Sequence, residues 1–369
     1  MLSPTIERTT ISSQSKNAWH LRAVRLPDGD RPEDWWAADG QWIDHPIEGA
    51  HDLPGRFVLP GLVDAHAHLT LDFNNSGLRG KALVDFNAKE QSKSGVLAIR
   101  DMGTAPGARL DPSQIDGVHL IKPSPLFAPA GRYFQGLAKI VAEHELVGAA
   151  LDAVANGAAW VKVIADFAGP DGNWWKAPAN YSAETLRQLV EAVHAKGAKV
   201  AVHTTGPFAS ECVRAGVDSI EHGPSLTADD LAEMARRGTA WCPTLAVSSH
   251  YSGMAMRAGG PIAAAARKSL ADIRQLLPLA ARLGVIVLTG TDELPHGSLA
   301  TEVVTLHQYG LPVTAALGAA SVNARAYLGL PNIENGAPAD FVTFDADPRH
   351  SLETLARPAA VVSGGNRVR

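Results

Sequence analysis

Cysteine is almost missing from this chain: 369 residues carry two, Cys212 and Cys242. Two thiols cannot build the disulfide framework of a small secreted domain, so the fold must rest on an apolar core. Charge of one sign is scarce as well. The formal net charge is −5, from 33 basic and 38 acidic residues. That balance gives no reason to expect nucleic acid or an anionic membrane as partner. No apolar run approaches the roughly 20 residues of a membrane span. Residues 1–8, Met-Leu-Ser-Pro-Thr-Ile-Glu-Arg, lack the apolar centre of a signal peptide. These absences predict a cytoplasmic protein that acts on a small molecule.

What is present is a long middle of repeated units between two β-like ends. Residues 1–58 are rich in Trp, Asp, Pro and Gly, and turn signals such as Asp28-Gly29 and Asp39-Gly40 leave no room for a long helix. Residues 332–369 resemble them, with apolar pieces at 340–344 and 359–363 before Gly364-Gly365. A small β-sandwich assembled from both termini is expected. Between them, residues 59–331 alternate short apolar runs with helix-length amphipathic segments. Strands are expected at 62–66, 95–100, 118–122, 160–164, 199–203, 219–222, 240–245 and 285–289. One intervening helix opens on Ser182 and stops at Gly197; another opens on Thr227, carries Asp229 and Asp230 first and Arg236 and Arg237 last, and stops at Gly238. Eight such units predict a (β/α)8 TIM barrel, with its active site at the C-terminal strand ends.

Polar residues interrupt these apolar strands at telling places. His66-Ala67-His68 closes the first, and residues two apart on a strand face the same way. Lys162 lies in the fourth, His203 ends the fifth, His222 ends the sixth, and the eighth runs into Asp292. Alone, each has an ordinary reading: a hydrogen-bonded core histidine, a lysine reaching for solvent along its stem, a helix cap. A buried lysine or histidine must be paired, uncharged or metal-bound. Converging on one rim, the four histidines and the aspartate supply the ligand types of a hydrolytic zinc site with room for water.

Four segments, 59–68, 200–203, 219–223 and 288–292, resemble the signature blocks of the amidohydrolase superfamily. The nearest branch is the imidazolonepropionase-like one that includes Xaa-Arg and Xaa-Pro dipeptidases. The tail 336–345 is similar to the family's closing sandwich segment. The resemblance implies two divalent ions, zinc in the first instance. His66, His68 and Asp292 would hold the more buried ion, and His203 and His222 the second. Lys162 matches a lysine that is carboxylated and bridges both, which turns a buried cation into an anion. The implied reaction is hydrolysis of a C–N bond in an N-acyl amino acid, dipeptide or related small amide. Its bridging hydroxide would form as Asp292 takes a proton and later passes it to the leaving group, and His222 would help to steady the oxyanion. Two other readings remain open: a one-metal cyclic amidohydrolase or deaminase, and a ligand-binding barrel without turnover.

Specificity belongs in the loops after the strands. Dipeptidase members carry Gly-Gly-His after the third strand, where this chain has Ala-Gly-Arg-Tyr-Phe-Gln-Gly at 130–136. Arg132 or Tyr133 then replaces a substrate-contacting histidine, and Arg132 is a candidate to grip a carboxylate by its fork geometry. Trp174, Trp175 and Tyr181 are candidates for an aromatic wall, and His296 for a place near Asp292. Trp35, Trp36 and Trp42 suggest an exposed aromatic surface, and a homo-oligomer is expected.

Overall fold

Parallel pairing carries the chain from one strand to the next around a closed barrel. The computed structural model describes residues 17–104 and 106–369, so the reading of residues 1–8 lies outside the described residues. Leu62–Ala67 pairs with Val96–Asp101, which pairs with His119–Ile121. Pro123–Ala128 continues to Trp160–Ile164, Lys199–Thr204, Ser219–His222 and Ala240–Cys242. A single parallel bridge, Trp241 to Val287, starts the closure; the amide of Ala65 then donates to the Thr289 carbonyl at 2.8 Å. The strands are buried along their whole length because helices cover one side and the barrel interior the other. This is a (β/α)8 barrel.

The covering helices follow their end signals. The Ser182 hydroxyl accepts from the Thr185 amide and opens Ala183–His194, which buries Leu186, Leu189, Val190 and Val193 on one face. Thr227 and Asp230 form a capping box ahead of Ala228–Arg237, and Gly238 ends that helix at φ +75°.

Three expected elements differ. The third barrel strand comes in two pieces: His119–Ile121, within the expected 118–122, pairs with the second strand, and Pro123–Ala128 extends it to the fourth. Pro123 opens the second piece, where no donor is needed, and the register slips beside it. The seventh strand stops at Cys242, because Thr244 turns left-handed at φ +43° and a helix begins at Leu245. The eighth has bridge pairing at Val287 only. Between the seventh and eighth, where the repeated units call for one helix, lie two, Leu245–Ala258 and Gly260–Leu283, which pack against each other.

Both ends of the chain join in one eight-stranded sheet that forms a small sandwich domain with its own apolar core, including Leu21, Trp42, Val58 and Phe341. Phe57–Pro60 pairs antiparallel with Phe341–Phe344, tying the entrance of the barrel to its exit. Trp42 is 2 % exposed and packs on Phe341 at 4.5 Å between ring centroids. It is therefore a core residue, which removes it from the expected aromatic surface; Trp35 and Trp36 are half-buried.

Candidate active site

The six polar residues that interrupt the barrel strands line one cavity of about 320 Å3. Ligand atoms of His66, His68 and Asp292 lie within 4.8 Å of one another. The Nε2 atoms of His66 and His68 each stand 3.6 Å from Asp292 Oδ1. On the far side the His203 and His222 rings meet edge to face, 4.5 Å between centroids. Lys162, from the middle of the fourth strand, is buried below them.

Three of the four rings are aimed by a partner on the Nδ1 atom. His66 Nδ1 meets Glu221 Oε2 at 2.7 Å, His68 Nδ1 meets the Gly103 carbonyl at 3.2 Å, and His222 Nδ1 meets the Thr244 hydroxyl at 2.7 Å. Binding through Nδ1 leaves Nε2 as the free ligand atom, the usual way a surrounding shell fixes a metal-binding histidine. Two of the residues sit on strained backbone. His222 has φ +67° and Asp292 φ +51°. A regular strand sends neighbours to opposite faces, whereas the left-handed turn at His222 lets both Glu221 and His222 face inward. Close packing fixes the floor: a Cβ added to Gly290 would lie 2.4 Å from His66 Cβ and 2.7 Å from Cys242 Sγ.

Burial sets the protonation states. It pushes His66 down to about 4 and His222 down to about 3. His203 falls well below the usual range through burial and its neighbour His222. These imidazoles are neutral at pH 7, the form that binds a metal. For His68, burial lowers the pKa, but the carboxylates of Asp292 and Asp101 together outweigh it, leaving a net rise. Burial would raise Asp292, yet the surrounding histidines hold it well below the usual carboxylate range. Lys162 is pushed down to about 8 by burial. Its Nζ and the Nε2 of His203 are buried without a hydrogen-bond partner among the described residues.

Sequence reasoning missed the supports. Arg100 is fully buried; its Nε donates to the Ala65 carbonyl at 2.7 Å and its Nη2 to Glu221 Oε1 at 2.8 Å. Burial would raise Glu221, but the Arg100 guanidinium and the Lys162 charge hold it well below its ordinary value. Asp64 accepts from the Thr291 amide and hydroxyl, Gln91 and the His66 amide, which pins the first strand to the loop carrying Asp292. The signal was available: Asp64, Arg100 and Glu221 are charged residues inside apolar strands.

The expected substrate-side residues divide. Tyr133, Trp174 and Trp175 line the cavity, and the Tyr133 ring stands 5.7 Å from that of His203. Tyr181 is buried behind the loop, its hydroxyl on the Val141 carbonyl at 3.1 Å. His296 is buried beside Gln91, outside the cavity lining. Arg132 does not face the cavity either. Its guanidinium donates to Asn180 Oδ1 at 2.8 Å and to the carbonyls of Pro178 and Phe167 at 2.9 and 3.1 Å. Those bonds use the fork that was expected to grip a carboxylate, and they brace the 166–181 loop instead. Arg132→Ala is therefore expected to raise proteolytic nicking of that loop severalfold and to raise KM equally for charged and uncharged substrates. A KM rise confined to carboxylate substrates would contradict the bracing role.

The sequence profile of the amidohydrolase family matches residues 57–368. An uncharacterized protein of Mycobacterium tuberculosis is 33% identical over 354 residues, 94% of either chain. Imidazolonepropionase of Streptomyces griseus is 26% identical, over 86% of this chain and 85% of its own. Among solved structures, a putative prolidase from Bifidobacterium longum superposes with a TM-score of 0.78 at 24% identity, covering 95% of this chain and 94% of that one. A Xaa-Pro dipeptidase with bound methionine gives 0.77 at 20%, covering 95% and 99%.

Proposed function

This chain belongs to the amidohydrolase family, and we propose that it is a metal-dependent hydrolase of linear small amides, of the N-acyl amino acid or dipeptide kind. One observation carries the reading. The Lys162 Nζ and the His203 Nε2 are buried without partners in the cavity where His66, His68 and Asp292 converge. A buried polar group left unsatisfied costs about 1–3 kcal/mol, so two lining one cavity call for a partner within it. The donor set of imidazoles and a carboxylate fits a divalent ion such as zinc.

In this reading His66, His68 and Asp292 would hold one ion and His203 and His222 the second, with Lys162, as a carbamate, supplying an anionic ligand between the two sets. Carbamate formation joins the neutral amine to CO2 and releases a proton. A pKa near 8 leaves far more neutral amine at pH 7 than the ordinary value of 10.5 would. When bound, the ions supply a more acidic water and a polarised scissile carbonyl. Asp292, ionised at neutral pH, accepts the proton of the attacking water and returns it to the departing nitrogen. Tyr133 stands at the cavity wall to steady the developing oxyanion, a role expected of His222 from the sequence, whose Nδ1 is taken by Thr244 and whose Nε2 is kept for the ion. The aromatic loop residues Trp174 and Trp175 shield the reaction from bulk water.

A turnover screen tests this. Zinc- or manganese-loaded protein, supplied with bicarbonate, is offered N-acyl amino acids, dipeptides, their amides, lactams and amines. Linear amides are expected to be cleaved, with activity rising on addition of bicarbonate. Cleavage of lactams or release of ammonia from ring amines, with no linear amide hydrolysed, would reject the reading.

A further inference from the structure

Beyond the six metal-ligand candidates, the cavity has an unusual charge pattern. Among the described lining residues the one further charged side chain is Glu293, and no arginine or second lysine faces the space. A substrate carboxylate placed away from the metal centre would therefore meet no cation and one like charge.

Three of the neutral donors on the wall are also taken, and those of Tyr133, Ser252, Trp174 and Trp175 carry no charge to offset Glu293. The Thr205 hydroxyl donates to Asp166 at 3.2 Å and the Ser269 hydroxyl to the Pro224 carbonyl at 3.3 Å. The Tyr251 hydroxyl donates to Glu293 itself. A helix N-terminus could still attract an anion, and the first turn of Leu245–Ala258 does line the wall. That end already has its own carboxylate. The amides of Leu245 and Ala246 donate to the two oxygens of Glu302 at 2.7 Å each. Arg132, the nearest plausible fork, is spent on the loop. The rest of the wall is apolar, with Val247, Ile262, Leu270 and Ile273 from the two inserted helices facing Phe134 and Trp174 from the loops.

We propose that this site selects amides whose part beyond the scissile bond is apolar and carries no carboxylate, ending instead in a hydrogen-bond donor received by Glu293. The inference rests on the linear-amide hydrolase reading above and, within it, replaces the free N-acyl amino acids and dipeptides, which all carry a carboxylate, by their carboxamide or other donor-ended counterparts. At about 320 Å3 the cavity lies near the lower end of the roughly 300–1,000 Å3 range of small-ligand sites. That space suits one aromatic or branched side chain with a short acyl group. A like charge facing a buried carboxylate, with no cation to offset it, makes the free acid the weaker ligand.

The test uses a matched pair on the full-length zinc-loaded protein: N-acetylphenylalanine and its carboxamide. Both present the same acetyl amide and the same ring, and differ only in the terminal group. Acetate release gives kcat/KM, and thermal stabilisation at equal ligand concentration gives binding without turnover. The carboxamide is expected to exceed the acid by at least about tenfold in kcat/KM, a difference of about 1.4 kcal/mol. It is also expected to raise Tm more. Glu293→Gln, checked for unchanged zinc content, should shrink the preference to within about threefold. An acid that performs equally well or better in either readout overturns the inference, as does a protein that neither ligand stabilises. If the carboxamide stabilises more but no acetate is released, the hydrolase reading falls while the ligand class stands.

Discussion

Replacing Asp292 by asparagine lowers kcat by about 10^3- to 10^4-fold, with the fold retained. In the proposed reaction the carboxylate both holds an ion with His66 and His68, whose ligand atoms lie beside it, and carries the proton. General acid–base catalysis alone accounts for about 10^2–10^4 of rate, and the weakened ion site adds to it. Asparagine keeps the shape and is among the residues that tolerate left-handed backbone, so φ +51° at this position is no obstacle. The Asp292 amide still donates to the His66 carbonyl at 2.7 Å. Initial rates on the best amide, with circular dichroism and a thermal melt as controls, give the answer. A loss under tenfold would mean that the proton passes elsewhere.

Glu221→Ala is expected to be the most destabilising single change among the site's supports. It strands Arg100, whose side chain is fully buried and whose Nη1 already lacks a partner. Removing one member of a buried ion pair typically costs about 3–5 kcal/mol, because the surviving charge remains desolvated. The change also frees His66 Nδ1, and loss of such a support typically weakens metal binding by about 10–100-fold. Two readouts separate these effects. Denaturant melts of the metal-free protein report the stranded arginine, and zinc affinity reports the loosened imidazole. Glu221→Gln keeps the volume and part of the hydrogen bonding, so its stability is expected to fall between the two. If Glu221→Ala melted like the wild-type protein, the Arg100–Glu221–His66 chain would not be holding the first and sixth strands together.

The metal-ligand candidates were legible because each breaks an apolar strand with a side chain that a barrel core would not otherwise tolerate. His66, Lys162, His203 and His222 stand out against Val, Ile and Ala neighbours. Glu221 had the same signal but was hidden by the histidine beside it. Strand alternation sends adjacent residues to opposite faces, and nothing local announces the left-handed turn that lets both face inward. The third strand was legible only as far as residue 122, because Pro123 and Pro125 interrupt the apolar run that its second piece continues. The pair Leu245–Ala258 and Gly260–Leu283 was only partly legible for a different reason. Gly259 and Gly260 split what would be one unit's helix into two, Pro278 sits inside the second, and their packing against each other is a tertiary fact. The cavity's apolar wall comes largely from that pair, which is why the site's chemistry could be read from the sequence and its specificity could not. Arg132 makes the same point: its residue type suits a carboxylate clamp, but its partners are decided by where the loop closes.

The most direct test of the central claim is a zinc titration of the chelator-stripped protein, followed by calorimetry and elemental analysis, with bicarbonate present. The account predicts about two ions per chain, with turnover restored in step with loading. It also predicts that Lys162→Ala loses at least one of them. Less than one ion bound per chain, with no turnover gained from zinc or manganese, would contradict it.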